Sequence, residues 1–244
     1  HVTGVQTCAL PIFDRIERWP LAAEALSPSS ASPNSVVSLG VASVVSLDSD
    51  GGFTVLATSE FTAPVTVSQL HLDGTRTPID SADTSALADV VVRQVFYPSL
   101  DGTSVPMFVA HRRDVTPSAA TPLILTGYGG FAISESPIWM PNLAAWCAAG
   151  GVFAVAGMRG GYEYGERWHE AGRRGNKQQV FNDFFAAADW LVAEGFTSRS
   201  LLALHGGSNG GLLMGAAITQ RPDLAPVVWC AVPLLDMIRF PQFL

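Results

Sequence analysis

The stretch LALHGGSNGGLLMG, Leu202 to Gly215, decides the fold. A short apolar run that reads as a buried strand enters Gly206-Gly207-Ser208-Asn209-Gly210, and a run that reads as a helix follows, from about Gly210 to Gln220. These residues fit G-x-S-x-G, and a strand before with a helix after is the context in which that pattern forms a nucleophile elbow. In such a turn the serine backbone is strained, and flanking glycines let strand and helix approach closely enough to hold it. The Ser208 hydroxyl then projects above the strand ends, where the Asn209 N–H at the helix start faces a developing oxyanion. The rival readings are a plain glycine-rich turn and a phosphate-binding loop. Against the latter, no Lys-Ser/Thr pair follows and the spacing is not G-x-G-x-x-G.

Working outward, the same alternation recurs. PVVWCAV after the helix is a further strand. Upstream, FNDFFAAADWLVAEG carries Phe181, Phe184, Phe185, Ala188, Leu191 and Val192 along one helical face, with Asn182 or Asp183 as its expected cap and Gly195 as its end. PLILTGY is a short apolar strand, residues 137–149 are helical in composition, and VFAVAGM is a second buried strand. Strands alternating with helices specify an α/β domain, a mostly parallel sheet with helices on both faces. Before it, Val90 to Tyr97 and Val105 to Arg112 flank Asp101-Gly102 as a hairpin.

The chain changes character towards its start. VVSLGVASVVSLD, GGFTVLATSEF and VTVSQLHLDG are β-rich runs separated by turn residues, which suit a sandwich or one blade of a propeller. SPSSASPNS before them is a turn-rich spacer. HVTGVQTCALPI, residues 1–12, lacks the basic start and apolar centre of a secretory signal and looks like a translated sequencing adapter.

Composition narrows the function. A net charge of -7 and an isoelectric point near 5.1 argue against sequence-independent binding to nucleic acid or anionic membrane. Cys8, Cys147 and Cys230 are odd in number and lack metal-ligand spacing, which fits a reducing, cytoplasmic compartment. The apolar run from Asn142 to Met158 is divided by a double glycine and reads as helix then strand, not as a membrane span.

The five histidines are His1, His71, His111, His169 and His205, and none follows Ser208. His205 is three residues before the serine on a strand and is expected to point away from its hydroxyl. His169 and Arg159 read as parts of a structural loop. Hydrolases of this fold order their triad as Ser, then Asp, then His. Asp223 and Asp236 fall too soon after the serine to be that acid. Both partners are therefore expected beyond Leu244, with the chain an internal piece of a longer protein and inactive alone.

The run GGSNGGLLMGAAITQRPDL resembles the nucleophile region of the prolyl oligopeptidase family of serine peptidases. TGYGGFAIS, MRGGYEYGERWHEAGRRGNKQ and VFYPSLDGTSVPMFV resemble segments of that family in the same order. The resemblance runs from about Val90 to Asp236, and Asn209 after the serine favours its prolyl endopeptidase branch. It implies an incomplete α/β-hydrolase domain over residues 90–244, preceded over 13–89 by the end of a β-propeller and a linker. It implies Ser208 as the acylated nucleophile, with the Tyr128 hydroxyl and the Asn209 N–H as oxyanion donors. Phe131 and Leu234 would line a proline pocket. The implied substrates are short proline-containing peptides, with no metal or organic cofactor and a monomeric intact enzyme. An esterase of the same fold, or a non-catalytic scaffold if the chain truly ends at Leu244, are the alternatives.

Overall fold

The computed structural model describes residues 5–7, 14–18, 35–39, 41–50 and 53–242. Most of the adapter-like start and all but the last residue of the serine-proline spacer lie outside these. The chain divides into two units, residues 1–88 with 136–144, and residues 89–135 with 145–244.

The first unit is antiparallel. β1 (Val5–Thr7), β2 (Asp14–Arg18) and β3 (Ser35–Ser38) form one sheet, and β4 (Ser43–Asp50), β5 (Phe53–Glu60), β6 (Ala63–Leu70) and β7 (Arg76–Asp80) form a four-stranded meander. Ile16, Leu39, Ala42, Leu56 and Leu70 share one buried cluster. The first β-rich run thus divides between two sheets at residues 39–42, where the sequence reading had one run. β7 carried no strand signal, because all five of its side chains are exposed and it contains Pro78. Among the described residues it pairs only with β6, and an edge is where a strand tolerates proline.

The second unit holds β8 (Val90–Pro98), β9 (Ser104–Arg112), β10 (Leu123–Gly127), β11 (Val152–Ala156), β12 (Leu202–Gly207) and β13 (Val227–Ala231). Their order is β13-β12-β10-β11-β9-β8, so, counted from β8, the strands lie 1-2-4-3-5-6. β11, β10, β12 and β13 are mutually parallel, and the β8–β9 hairpin joins antiparallel at β11. The hairpin turns at Asp101-Gly102, with Gly102 at φ +82 as such a turn requires.

One sheet face is covered by α3 (Lys177–Ala193) and α4 (Asn209–Gln220). Val180, Phe184 and Leu191 of α3 and Leu213, Met214 and Ala217 of α4 bury against Leu123, Leu125, Val152, Leu202 and Leu204. On the other face, Trp146 of α1 (Pro141–Ala148) joins Ile124, His205, Val227 and Trp229 around an apolar groove of about 370 Å³. A short helix, α2 (Glu166–Glu170), stands in the loop between β11 and α3.

α3 starts at Lys177, with Asn176 at its cap position, six residues before Asn182. Asn182 and Asp183 are therefore not caps but interior residues, and Asp183 is fully buried. Gly195 at φ +76 does end the helix, its N–H bonded to Val192 O.

Candidate active site

Ser208 stands between the last residue of β12 and the first of α4, at φ 55 and ψ −115. A non-glycine residue with positive φ costs on the order of 1–3 kcal/mol and persists only where its surroundings enforce it. Here they do. The Ser208 N–H donates to Ala231 O at 3.1 Å, and Ser208 O accepts from the Leu212 and Leu234 N–H groups at 3.1 and 3.4 Å. A Cβ on Gly206 would lie 2.3 Å from Gly210 O, one on Gly210 2.8 Å from Gly127 O, and one on Gly211 2.7 Å from the Pro233 backbone. The glycines are what allow β12, α4 and the end of β10 to meet. Although Ser208 occupies the cap position of α4, its hydroxyl makes no capping bond. Among the described residues it has no hydrogen-bond partner.

The loop after β10 approaches the elbow. Tyr128 is half-buried, and its ring lies 3.8 Å from a Cβ built on Gly210. The Asn209 side chain, almost fully buried, donates from Nδ2 to Tyr128 O at 2.5 Å. Its backbone N–H is one of the first in α4, a group with no partner inside the helix. Phe131 follows at φ 56, with Ala132 at φ 54, and its ring is 63% exposed, 6.5 Å from the Tyr128 ring. A cleft of about 710 Å³ opens here, lined by Phe131, His169, Lys177, Asn209, Leu212 and Met237, among others. Of the five sequence-assigned residues, Phe131 and Asn209 line it. Ser208 directly precedes Asn209, Tyr128 lies three residues before Phe131, and Leu234 is half-buried, tied to Ser208 through its N–H.

The Phe131 turn has its own supports. The Ala132 N–H points at Gly160 O (3.2 Å) and at His169 Nδ1 (3.2 Å), and His169 Nδ1 lies 2.8 Å from Gly160 O. An Nδ1–H donating to Gly160 O leaves Nε2 as the ring's free nitrogen. Glu163, 4% exposed, accepts the Glu135 N–H at 2.9 Å. Burial pushes the Glu163 carboxyl up to about 7, and burial with the neighbouring Glu163 does the same to Glu135. Beneath the turn, Arg159 meets the buried Asp183 through Nε (3.0 Å), Nη2 (2.6 Å) and its backbone N–H (3.1 Å). Arg159 also reaches Asp101 in the β8–β9 turn at 2.6 Å, holding that carboxyl down to about 2.

The other histidine near the elbow is engaged elsewhere. His205 packs against Trp229, the rings tilted with centroids 4.6 Å apart, Nδ1 is 3.3 Å from Thr126 Oγ1, and burial lowers its pKa. Cys147 is buried with its thiol pushed up to about 12, so it offers no thiolate nucleophile near neutral pH. No group of acidic, histidine or cysteine side chains among the described residues could hold a metal ion. Likewise, no described helix is long and apolar enough to cross a membrane. Sequence reading missed Lys177, Glu135 and Glu163, whose partners are 28 to 48 positions away in the chain.

The strand order, the elbow at the end of β12 and the loop after β10 define an α/β-hydrolase domain with its elbow serine in place. The sequence model of the Prolyl oligopeptidase family matches residues 139–243. Prolyl endopeptidase of Elizabethkingia miricola is 48% identical over 153 residues, which cover 63% of this chain and 22% of that protein. Prolyl endopeptidase of Dictyostelium discoideum is 47% identical over 157 residues, 63% of this chain and 20% of the relative. Among solved structures, one from a study of two prolyl endopeptidases superposes with a TM-score of 0.79 at 42% identity, covering 94% of this chain and 33% of that one. Prolyl oligopeptidase B from Galerina marginata, bound to a 25mer macrocyclization substrate, gives a TM-score of 0.80 at 28% identity, covering 99% and 35%. Residues 139–243 thus carry the signature of the prolyl oligopeptidase family, and the chain's match spans about a fifth of the length of these curated relatives.

Proposed function

We propose that the whole protein is a serine endopeptidase that cleaves short peptides after proline, with Ser208 as its nucleophile. The observation that carries this reading is Ser208 itself, held at positive φ at the head of α4 with its hydroxyl spent on nothing else. In the proposed reaction a histidine supplied by the longer protein removes the Ser208 proton, and the alkoxide attacks the carbonyl carbon of the proline residue. The Asn209 N–H and the Tyr128 hydroxyl bind the tetrahedral oxyanion; its collapse breaks the C–N bond, the leaving amine takes the proton from the histidine, and water then hydrolyses the Ser208 ester and restores the hydroxyl. Phe131, exposed at the cleft, and Leu234 would contact the proline ring. Residues 13–89 are proposed as the end of a β-propeller with its linker, residues 90–244 as hydrolase domain, and residues 1–12 as adapter-derived. The proposed setting is a cytoplasmic monomer.

The test compares this chain with the product of its complete reading frame on a proline-linked chromogenic peptide. Turnover is expected from the longer protein only, and Ser208→Ala should lower its kcat by about 10⁶. Turnover by the 244 residues alone, abolished by Ser208→Ala, would remove the need for a later histidine. Cleavage of simple esters but not of proline amides by the longer protein would assign an esterase instead.

A further inference from the structure

Lys177, the first residue of α3, is half-buried at the cleft. Its Nζ donates to Gly129 O at 2.8 Å and to Asn209 Oδ1 at 3.3 Å. Among the described residues it has no carboxylate partner, and its ammonium lies 6.0 Å from the Phe181 ring centroid. The charged groups around it, Arg173, Arg174 and the ionisable His169, are cationic or neutral. A lysine placed for stability alone would pair with an acid. This one instead spends one donor on the turn that carries Tyr128 and another on the Asn209 carboxamide that holds the same turn.

The Asn209 carboxamide completes a strut. Its Oδ1 accepts a hydrogen bond from the Lys177 ammonium while its Nδ2 donates to Tyr128 O, so two consecutive carbonyls, of Tyr128 and Gly129, are each fixed by a side-chain donor. Because a trans peptide carries C=O and N–H on opposite edges, capturing two successive carbonyls sets the rotation of both peptide planes. The turn has no slack to compensate, since a Cβ on Gly129 would lie 2.3 Å from Val180 and one on Gly130 2.6 Å from Asn209 Nδ2. Val180 is one turn further along α3. The same helix therefore supplies the ammonium that pulls on the turn and the apolar stop it rests against.

We infer that Lys177 is a positioning residue of the oxyanion site, which through the Asn209 carboxamide and Gly129 O sets the pose of the Tyr128 hydroxyl relative to Ser208. This rests on the peptidase reading above. Burial pushes the Lys177 ammonium down to about 8, so the strut is charged at neutral pH and weakens above that value.

The experiment uses the product of the complete reading frame and its Lys177→Met and Lys177→Gln variants. The readouts are kcat and KM on a proline-linked peptide, and inhibition by a peptide aldehyde against a product-like peptide acid. The aldehyde forms an oxyanion on Ser208, whereas the product peptide only occupies the site. Lys177→Met should lower kcat and aldehyde affinity about tenfold or more, with KM and product affinity changed less than about twofold. Retained kcat and aldehyde affinity, or equal losses for aldehyde and product peptide, would overturn the inference. If Lys177→Met does not fold, the same comparison on Lys177→Gln decides. No Ser208-dependent turnover in the unsubstituted protein would instead sink the peptidase reading, and this inference with it.

Discussion

Of the places in the second unit where non-glycine residues take positive φ, two flank the candidate site, Ser208 at the elbow and Phe131-Ala132 beside the cleft, and they are enforced in different ways. The elbow is held by exclusion, with backbone against backbone wherever Gly206, Gly210 and Gly211 leave room for nothing else. The Phe131 turn is held by polar tethers from distant segments: Gly160 O, itself bonded by His169, at Ala132, Glu163 at Glu135, and Lys177 at Gly129. Steric exclusion is rigid and insensitive to solution conditions. Tethers can be cut singly and respond to pH, which suits the substrate contact proposed for Phe131.

The largest effect is expected where the second turn meets the core. Asp183→Ala leaves the buried Arg159 guanidinium without its main partner and undoes the base on which Gly160 stands. Breaking a buried pair on one side costs about 3–5 kcal/mol, so a denaturant titration of this chain should show a loss of that size or outright unfolding. A loss below about 1 kcal/mol would mean that Asp101 alone holds Arg159.

The elbow is best tested by two neighbouring glycines, Gly206 at the fixed position of G-x-S-x-G and Gly207 at its variable one. Gly206→Ala drives a methyl into the α4 backbone and should cost about 1–3 kcal/mol. Gly207→Ala meets nothing nearer than Ala231 O at 3.7 Å and should stay within about 0.5 kcal/mol. Equal costs at the two positions would refute enforcement by exclusion.

The smallest effect is a pH dependence that the tethered turn has and the elbow lacks. The folded protein keeps Glu135 and Glu163 protonated up to about 7, whereas the unfolded chain releases those protons near 4.5. Between these values the folded state binds more protons, so this contribution to stability is complete below about 4.5 and is lost as pH rises to about 7. Thermal melts should show Glu163→Gln gaining on the unsubstituted chain between pH 5 and pH 8. A gap between the two that stays constant with pH would place both carboxyls in water.

What could be read from the sequence follows the same division. The elbow, the hairpin and the alternation of strand and helix are local patterns, set by glycine spacing and apolar period within a dozen residues. Asp183 showed the limit, since an acid before two phenylalanines looks like a helix cap. Only the path of the loop after β11 brings Arg159 to it, from 24 positions away. Tyr128, Phe131 and Asn209 could be named from family resemblance, but nothing local told that Lys177 would lie 2.8 Å from Gly129 O.

The uncapped start of α4 has one more consequence. Serine at a helix N-terminus ordinarily turns its oxygen back onto the first N–H groups, worth about 1 kcal/mol to the helix. Ser208 withholds that bond, and the donors stay open. In the proposed reaction the oxyanion supplies what the side chain does not, so the helix is completed by its substrate, and only while the bond is being broken.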